Sequence, residues 1–131
     1  MARRSTLIEQ MRENKAHVLV LDAGNALSGA QGLTVGTQGK VMIESMSLMG
    51  YDAMALGQLD LDWGASVLRQ RMAESAFPLL SANVVLSDTG ELFAQPYVIL
   101  DVEGQKVALV GLTEPLGSTA PLGSTAPRTG E

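Results

Sequence analysis

Tyr51-Asp52-Ala53-Met54-Ala55-Leu56-Gly57-Gln58-Leu59-Asp60-Leu61-Asp62-Trp63-Gly64 is the stretch on which the fold turns. A short apolar run, Ala53 to Leu56, stops at a glycine and hands over to a loop with two carboxylates, after which helical spacing begins. A strand that ends at glycine and leads into a helix is the βα unit of an α/β protein, and such proteins gather their ligands at the carboxyl ends of parallel strands.

Upstream, His17-Val18-Leu19-Val20-Leu21 is a continuous apolar run, the pattern of a strand covered on both faces of a parallel sheet. It delivers Asp22-Ala23-Gly24-Asn25 to the same sheet edge. Before it, Thr6-Leu7-Ile8-Glu9 has the spacing of a capping box, and Leu7, Ile8 and Met11 share a face, which predicts a first helix ending near Asn14. Between the strands, residues 26–39 carry Gly29, Gly32, Gly36 and Gly39 without a period and read as a long loop. Thr37 is placed to cap a second helix lined by Met42, Ser45, Met46 and Met49 and ended by Gly50.

Downstream, Asp62 is placed to cap a third helix with Ala65, Leu68, Met72 and Ala76 on one face and Arg69, Gln70 and Glu74 towards water. Pro78 opens a third strand, Leu79 to Val84. This is βαβαβ spacing, with right-handed crossovers expected. The runs Tyr97 to Val102 and Lys106 to Leu112, joined by Glu103-Gly104-Gln105, read as a β-hairpin. Residues 116–127 spell Leu-Gly-Ser-Thr-Ala-Pro twice with no apolar face, which reads as an extended tail, a linker stub or an artefact of cloning. The expected organisation is an α/β domain over residues 1–115 and a tail over 116–131.

A chain of 131 residues is about one domain long. Hydrophobic residues at 46% and charged residues at 18% fit a globular domain rather than a disordered one. The net charge of -5 steers the chain towards neither nucleic acid nor an anionic membrane. With no cysteine, disulfides, thiolate metal sites and thiol nucleophiles are excluded. No apolar run reaches the ~20 residues that cross a bilayer, and Met1-Ala2-Arg3-Arg4 leads into a polar, periodic segment, so the chain as written is expected in the cytoplasm. Were it a piece of a longer protein, a periplasmic or extracellular place would be open to it.

Asp22 with Asn25, Gln58 with Asp60 and Asp62, and Asn83 after the third strand all fall at one sheet edge. Oxygen donors of this kind suit hard divalent cations such as Mg²⁺, Mn²⁺ or Ca²⁺. They equally suit structural work: Asp22 and Asn25 can cap their own turn, Asp62 a helix, and Asn83 a loop backbone. The lone His17 starts the first strand, away from this edge, and a single imidazole seldom ligates alone. The seven methionines are core filler at helical spacing.

Leu19 to Asn25, Met49 to Gly64, Phe77 to Val84 and Val107 to Leu112 together resemble, in order, the metallophosphatase domain of the 5′-nucleotidase family, over about residues 5–115. The resemblance implies the N-terminal part of a four-layer α/β/β/α sandwich, here a βαβαβ unit followed by a hairpin. It implies an enzyme that hydrolyses phosphate esters, typically of nucleotides, with two divalent metals (Mn, Zn, Mg or Fe). Carried over residue by residue, the family's bridging aspartate falls on Asn25, its asparagine ligand on Gln58 and its catalytic histidine on Leu59, while Asp60 keeps its type. The family's opening Asp-x-His and its later histidine ligands have no counterpart here.

Those substitutions matter chemically. A neutral amide at Asn25 cannot offset the repulsion of two dications as a carboxylate does. Gln58 offers its carbonyl from one methylene farther out, and Leu59 has no proton to give. The reading that follows is a degenerate, non-catalytic homologue without its own metals and with a binding or assembly role. Half a sandwich leaves an apolar sheet face and an open edge, so its partner is expected to be a second copy or the remainder of a longer protein. The alternative is a metal-dependent nucleotide phosphoesterase whose missing ligands come from another segment or chain. A third is a nucleotide- or metal-binding module using the loop of Asp60 and Asp62.

Overall fold

The computed structural model describes residues 2–28 and 32–115 of the chain, with residue 33 by its backbone only. A first helix, α1, runs Ala2–Asn14 and is followed by a strand, β1, Leu21–Asp22. A short helix, α2 (Gly32–Gly36), and a longer one, α3 (Lys40–Leu48), lead to β2 (Ala53–Ala55). A 3-10 turn over Gln58–Trp63 passes into α4 (Gly64–Glu74) and then β3 (Leu79–Leu80). The hairpin strands β4 (Tyr97–Val102) and β5 (Gln105–Val110) close the described chain.

The three short strands form a parallel sheet in the order β1-β2-β3, with Leu21 beside Ala53 and Met54 beside Leu79. This is the α/β architecture that the spacing predicts. The core lies on one face of the sheet, where Met54 and Leu56 meet Ile43 and Met46 of α3 and Leu68 of α4, all at 0% exposure. The buried face of α3 is thus turned from the expected one: Ile43 joins Met46 at its centre, and Met42 and Met49 flank it.

Several expectations are corrected. α1 starts well before Thr6, whose hydroxyl donates to Ala2 O at 3.1 Å instead of capping, and only Ile8 of its apolar residues is buried. Leu7 and Met11 are half exposed, and the helix is held instead by arginines: Arg4 donates to the Tyr51 hydroxyl and Arg12 to the carbonyls of Met49 and Gly50. The first strand pairs only at Leu21–Asp22. Its preceding residue, Val20, has both backbone groups taken by Asp52, whose N–H donates to Val20 O and whose carboxylate accepts from Val20 N at 2.7 Å. Nor are both faces covered, since Leu21 is 49% exposed.

Gly39, at φ 79, is the residue from which α3 starts, and the Thr37 hydroxyl accepts from Val41 N at 3.4 Å. Gly50 does take the left-handed conformation after that helix, at φ 71. The expected loop over residues 26–39 contains α2. Asp62 does not cap α4: it lies on the exposed side of the 3-10 turn, and the helix begins beyond Trp63 without a side-chain cap. Ala76 is exposed rather than in the core, and Arg71 is buried where no burial was expected, donating to Thr37 O at 3.0 Å and pairing with Glu74.

The third strand, expected to reach Val84, ends at Leu80, because Ser81 N–H turns to Gln95 O and Ala82 N–H to Gly111 O. In the hairpin the two turn residues, Glu103 at φ 48 and Gly104 at φ 84, make the left-handed pair that tight hairpins need. Register begins at Val102 opposite Gln105. The tail of residues 116–131, with its repeat, lies outside the described residues.

Candidate functional site

Two loops meet at the carboxyl ends of β1 and β2. They approach so closely that a β-carbon on Gly24, itself at φ 109, would sit 2.5 Å from Gly57 N, and one on Gly57 would overlap the Asn25 side chain. Glycine at both positions is the condition for the contact.

Asp60 is the joint between them. Its side chain has 0% exposure, and its Oδ2 accepts from Asn25 N at 2.8 Å and Gly57 N at 2.9 Å, while Oδ1 accepts from Leu27 N at 2.9 Å. Burial raises its pKa above the usual carboxylate value, against the three amides that lower it, with the nearby charge of Asp22 adding to the rise. Asn25, in the left-handed region at φ 63, turns its Oδ1 to accept from Leu59 N at 2.9 Å. Trp63 Nε1 donates to Leu27 O at 2.9 Å and fixes the same junction from outside.

The remaining candidates disperse. Asp22 Oδ1 accepts from Gly24 N at 2.9 Å within its own turn, and Asp22 borders an open cleft of about 460 Å³ that Leu21, Ala55, Leu80 and Leu112 make otherwise apolar. Gln58 and Asp62 lie on the 3-10 turn. Asn83 clamps the chain after β5, accepting from Thr113 N at 2.9 Å and donating to Thr113 O at 2.7 Å. His17 lies 3.3 Å from Glu103 on the hairpin turn, away from the loops.

Sequence reasoning missed the polar cluster that ties β2 and β3 to the chain after β5. Thr113 Oγ1 donates to Leu56 O at 2.8 Å and lies 2.8 Å from Ser81 Oγ, both side chains being buried. The signal was a small hydroxyl just past the end of an apolar strand, Gly111-Leu112-Thr113, which occurs too often at strand ends to single out. Arg71 had a clearer signal in its i,i+3 spacing from Glu74.

These residues do not fit a pair of divalent metals. Asn25 offers a neutral amide whose oxygen is already engaged, both Asp60 oxygens face backbone amides, and Leu59 has no donor atom in its side chain. Among the described residues no group of three or more His, Cys, Asp and Glu is disposed around one point. No described helix is long and apolar enough to cross a membrane.

No family profile matches the sequence. Individual proteins do. A 5′-nucleotidase of Vibrio cholerae serotype O1 is 38% identical over 117 residues, 86% of this chain and 21% of that protein. The snake venom 5′-nucleotidase of Gloydius brevicauda is 37% identical over 117 residues, 86% of this chain and 20% of its own length. Among solved structures, the 5′-nucleotidase precursor of Thermus thermophilus superposes with a TM-score of 0.76 at 28% identity, covering 91% of this chain and 24% of that one. The calcineurin-like phosphoesterase YfkN of Bacillus subtilis gives 0.70 at 26%, covering 88% and 40%. This chain spans about one fifth of the length of the curated relatives, consistent with the N-terminal part of the domain. By sequence and by fold it belongs to the 5′-nucleotidase family of calcineurin-like metallophosphatases.

Proposed function

We propose that this chain is a non-catalytic member of its family, in which the two loops that carry the family's metal and phosphate chemistry serve as a structural joint, and that its role is binding or assembly. The observation that carries this reading is the hydrogen bond from Leu59 N to Asn25 Oδ1. By the resemblance, the atom at the bridging-ligand position is spent on the backbone of the residue at the catalytic-histidine position. An amide there cannot balance two dications, and a leucine cannot protonate or hydrogen-bond a phosphate.

The test is metal content and AMP hydrolysis on one preparation, with and without added Mn²⁺. The expected result is no stoichiometric metal and no turnover. Stoichiometric metal with metal-dependent turnover overturns it.

One observation favours a second reading, a metal-dependent nucleotide phosphoesterase completed by another segment or chain: relatives named as 5′-nucleotidases are about five times longer, so most of their residues have no counterpart here. Asp22, Gln58 and Asp60 would then contribute from this side. Titration calorimetry with Mn²⁺ and then AMP, with that segment or chain present, separates the two, since a structural joint gives heat with neither. Of the two locations open to the sequence, we take the exported one, because two relatives are named for snake venom, a secreted fluid.

A further inference from the structure

We propose that the outer face of the β4–β5 hairpin takes a second copy of this chain, packed face to face about a two-fold axis that runs along the strands. The inference gives a partner to the assembly role proposed above and rests on it.

The register sets the surface. Tyr97 stands opposite Val110, Ile99 opposite Ala108 and Asp101 opposite Lys106. These six point outward, since the alternate residues Val98, Leu100, Val107 and Leu109 are half-buried. Tyr97 is 52% exposed, Ile99 55% and Val110 62%, and Leu112 extends the row beyond the strand at 69%. An antiparallel pair with one face in water ordinarily shows it polar residues. Here the outward residues are apolar along two-thirds of the ribbon, and the other two, towards the turn end, form an ion pair, Lys106 Nζ to Asp101 Oδ2 at 2.6 Å.

A second copy fits because the face is its own complement. A two-fold along the strands lays β4 of one copy over β5 of the other, so each cross-strand pair meets its inverse. Ile99 then covers the second copy's Ala108, a large side chain over a small one, and Tyr97 covers its Val110. At the turn end each Asp101 faces the second copy's Lys106, and both pairs form at once. A two-fold set across the strands would instead lay the charged pair over Tyr97 and Val110. Six outward side chains on each copy make a small surface, and a specific interface needs at least ~1,000 Å² in total. The expected complex is therefore a concentration-dependent dimer of modest affinity, its orientation selected by the rim charges.

The test is sedimentation velocity on the full 131-residue chain across a concentration series. The wild-type chain is expected to pass from monomer to dimer, and Ile99→Lys to weaken that association at least tenfold. Asp101→Lys gives a face with two cations and Lys106→Asp one with two anions, so each alone repels itself and is expected to lose at least tenfold. Mixed in equal amounts the two are expected to pair, with affinity restored to the wild-type range or better. Circular dichroism checks that each variant keeps its fold, which their exposed positions favour. A wild-type chain that stays monomeric throughout, as it would if this face served a different polypeptide, overturns the proposal. So does a dimer indifferent to Ile99→Lys, or a mixture that fails to associate. None of these readouts involves metal or turnover, so the proposed lack of catalysis stands or falls separately.

Discussion

Asn25 Oδ1 accepts a hydrogen bond from Leu59 N at 2.9 Å, closing the loop after β1 onto the loop after β2 across 34 residues of sequence. The bond and the backbone are coupled, because Asn25 holds φ 63, a conformation that asparagine tolerates better than most residues. Asn25→Ala removes the bond, worth about 1 kcal/mol, and strains the backbone by about 1 kcal/mol more. Asn25→Gly removes the bond and frees the backbone. Urea unfolding is expected to rank wild type above glycine and glycine above alanine. Equal losses for the two variants would show that the backbone is not held left-handed.

Asp60 satisfies three backbone amides from three different points of the junction. Asp60→Ala leaves the N–H groups of Asn25, Leu27 and Gly57 unpaired, at about 1–3 kcal/mol each, so a loss above ~3 kcal/mol is expected by urea titration. The pH dependence has a definite sign. Burial raises the folded pKa of Asp60, so the native state holds this proton more tightly than the unfolded chain does. The stability that the group contributes is fully present below the ordinary carboxyl value of about 4 and is lost as pH rises through the raised folded value. Measured against Asp60→Asn, the wild-type advantage should therefore shrink as pH rises from that value towards neutrality. An advantage that grows over the same interval would mean the amides outweigh burial.

The sheet and the hairpin were legible because their signals are local. Ala53 to Leu56 ends on Gly57, and Tyr97 to Val102 faces its partner strand across a two-residue turn. Helix starts were less legible. Thr6 and Asp62 each have the composition of a cap, but Thr6 is preceded by residues that also favour helix, and the chain after Asp62 passes through a 3-10 turn before the α-helix begins. In both cases the neighbouring stretch of chain, and not the capping residue, set where the helix begins. At the site, sequence brought Asn25 and Asp60 to one edge without revealing that they bond to backbone across the gap. That depends on the approach of Gly24 to Gly57, a contact between loops that no spacing along the chain records.

Leu59 is 48% exposed and packs little, so Leu59→His should change stability by no more than ~0.5 kcal/mol. Restoring the family's residue at that one position is expected to give neither Mn²⁺ binding by calorimetry nor AMP hydrolysis. The imidazole would stand alone, with the Asn25 oxygen still facing a backbone amide and Asp60 still occupied. Turnover in this single variant would place a working metal set outside the residues named here.

Thr113 is the pivot of the second junction. Its single hydroxyl proton goes to Leu56 O, so Ser81 is the donor across the 2.8 Å between the two hydroxyls. The two partners are therefore unequal. Thr113→Val preserves shape but strands the Leu56 carbonyl and leaves the Ser81 proton only a longer contact, 3.3 Å, with Asn83 Oδ1. Two weakened or orphaned groups in a buried place predict a loss of about 2–3 kcal/mol. Ser81→Ala removes a donor and strands only an oxygen that still donates elsewhere, for about 1 kcal/mol. Thermal or urea unfolding should find the threonine variant the weaker of the two. The reverse order would assign the shared proton to Thr113 and leave Leu56 O to be satisfied by another group.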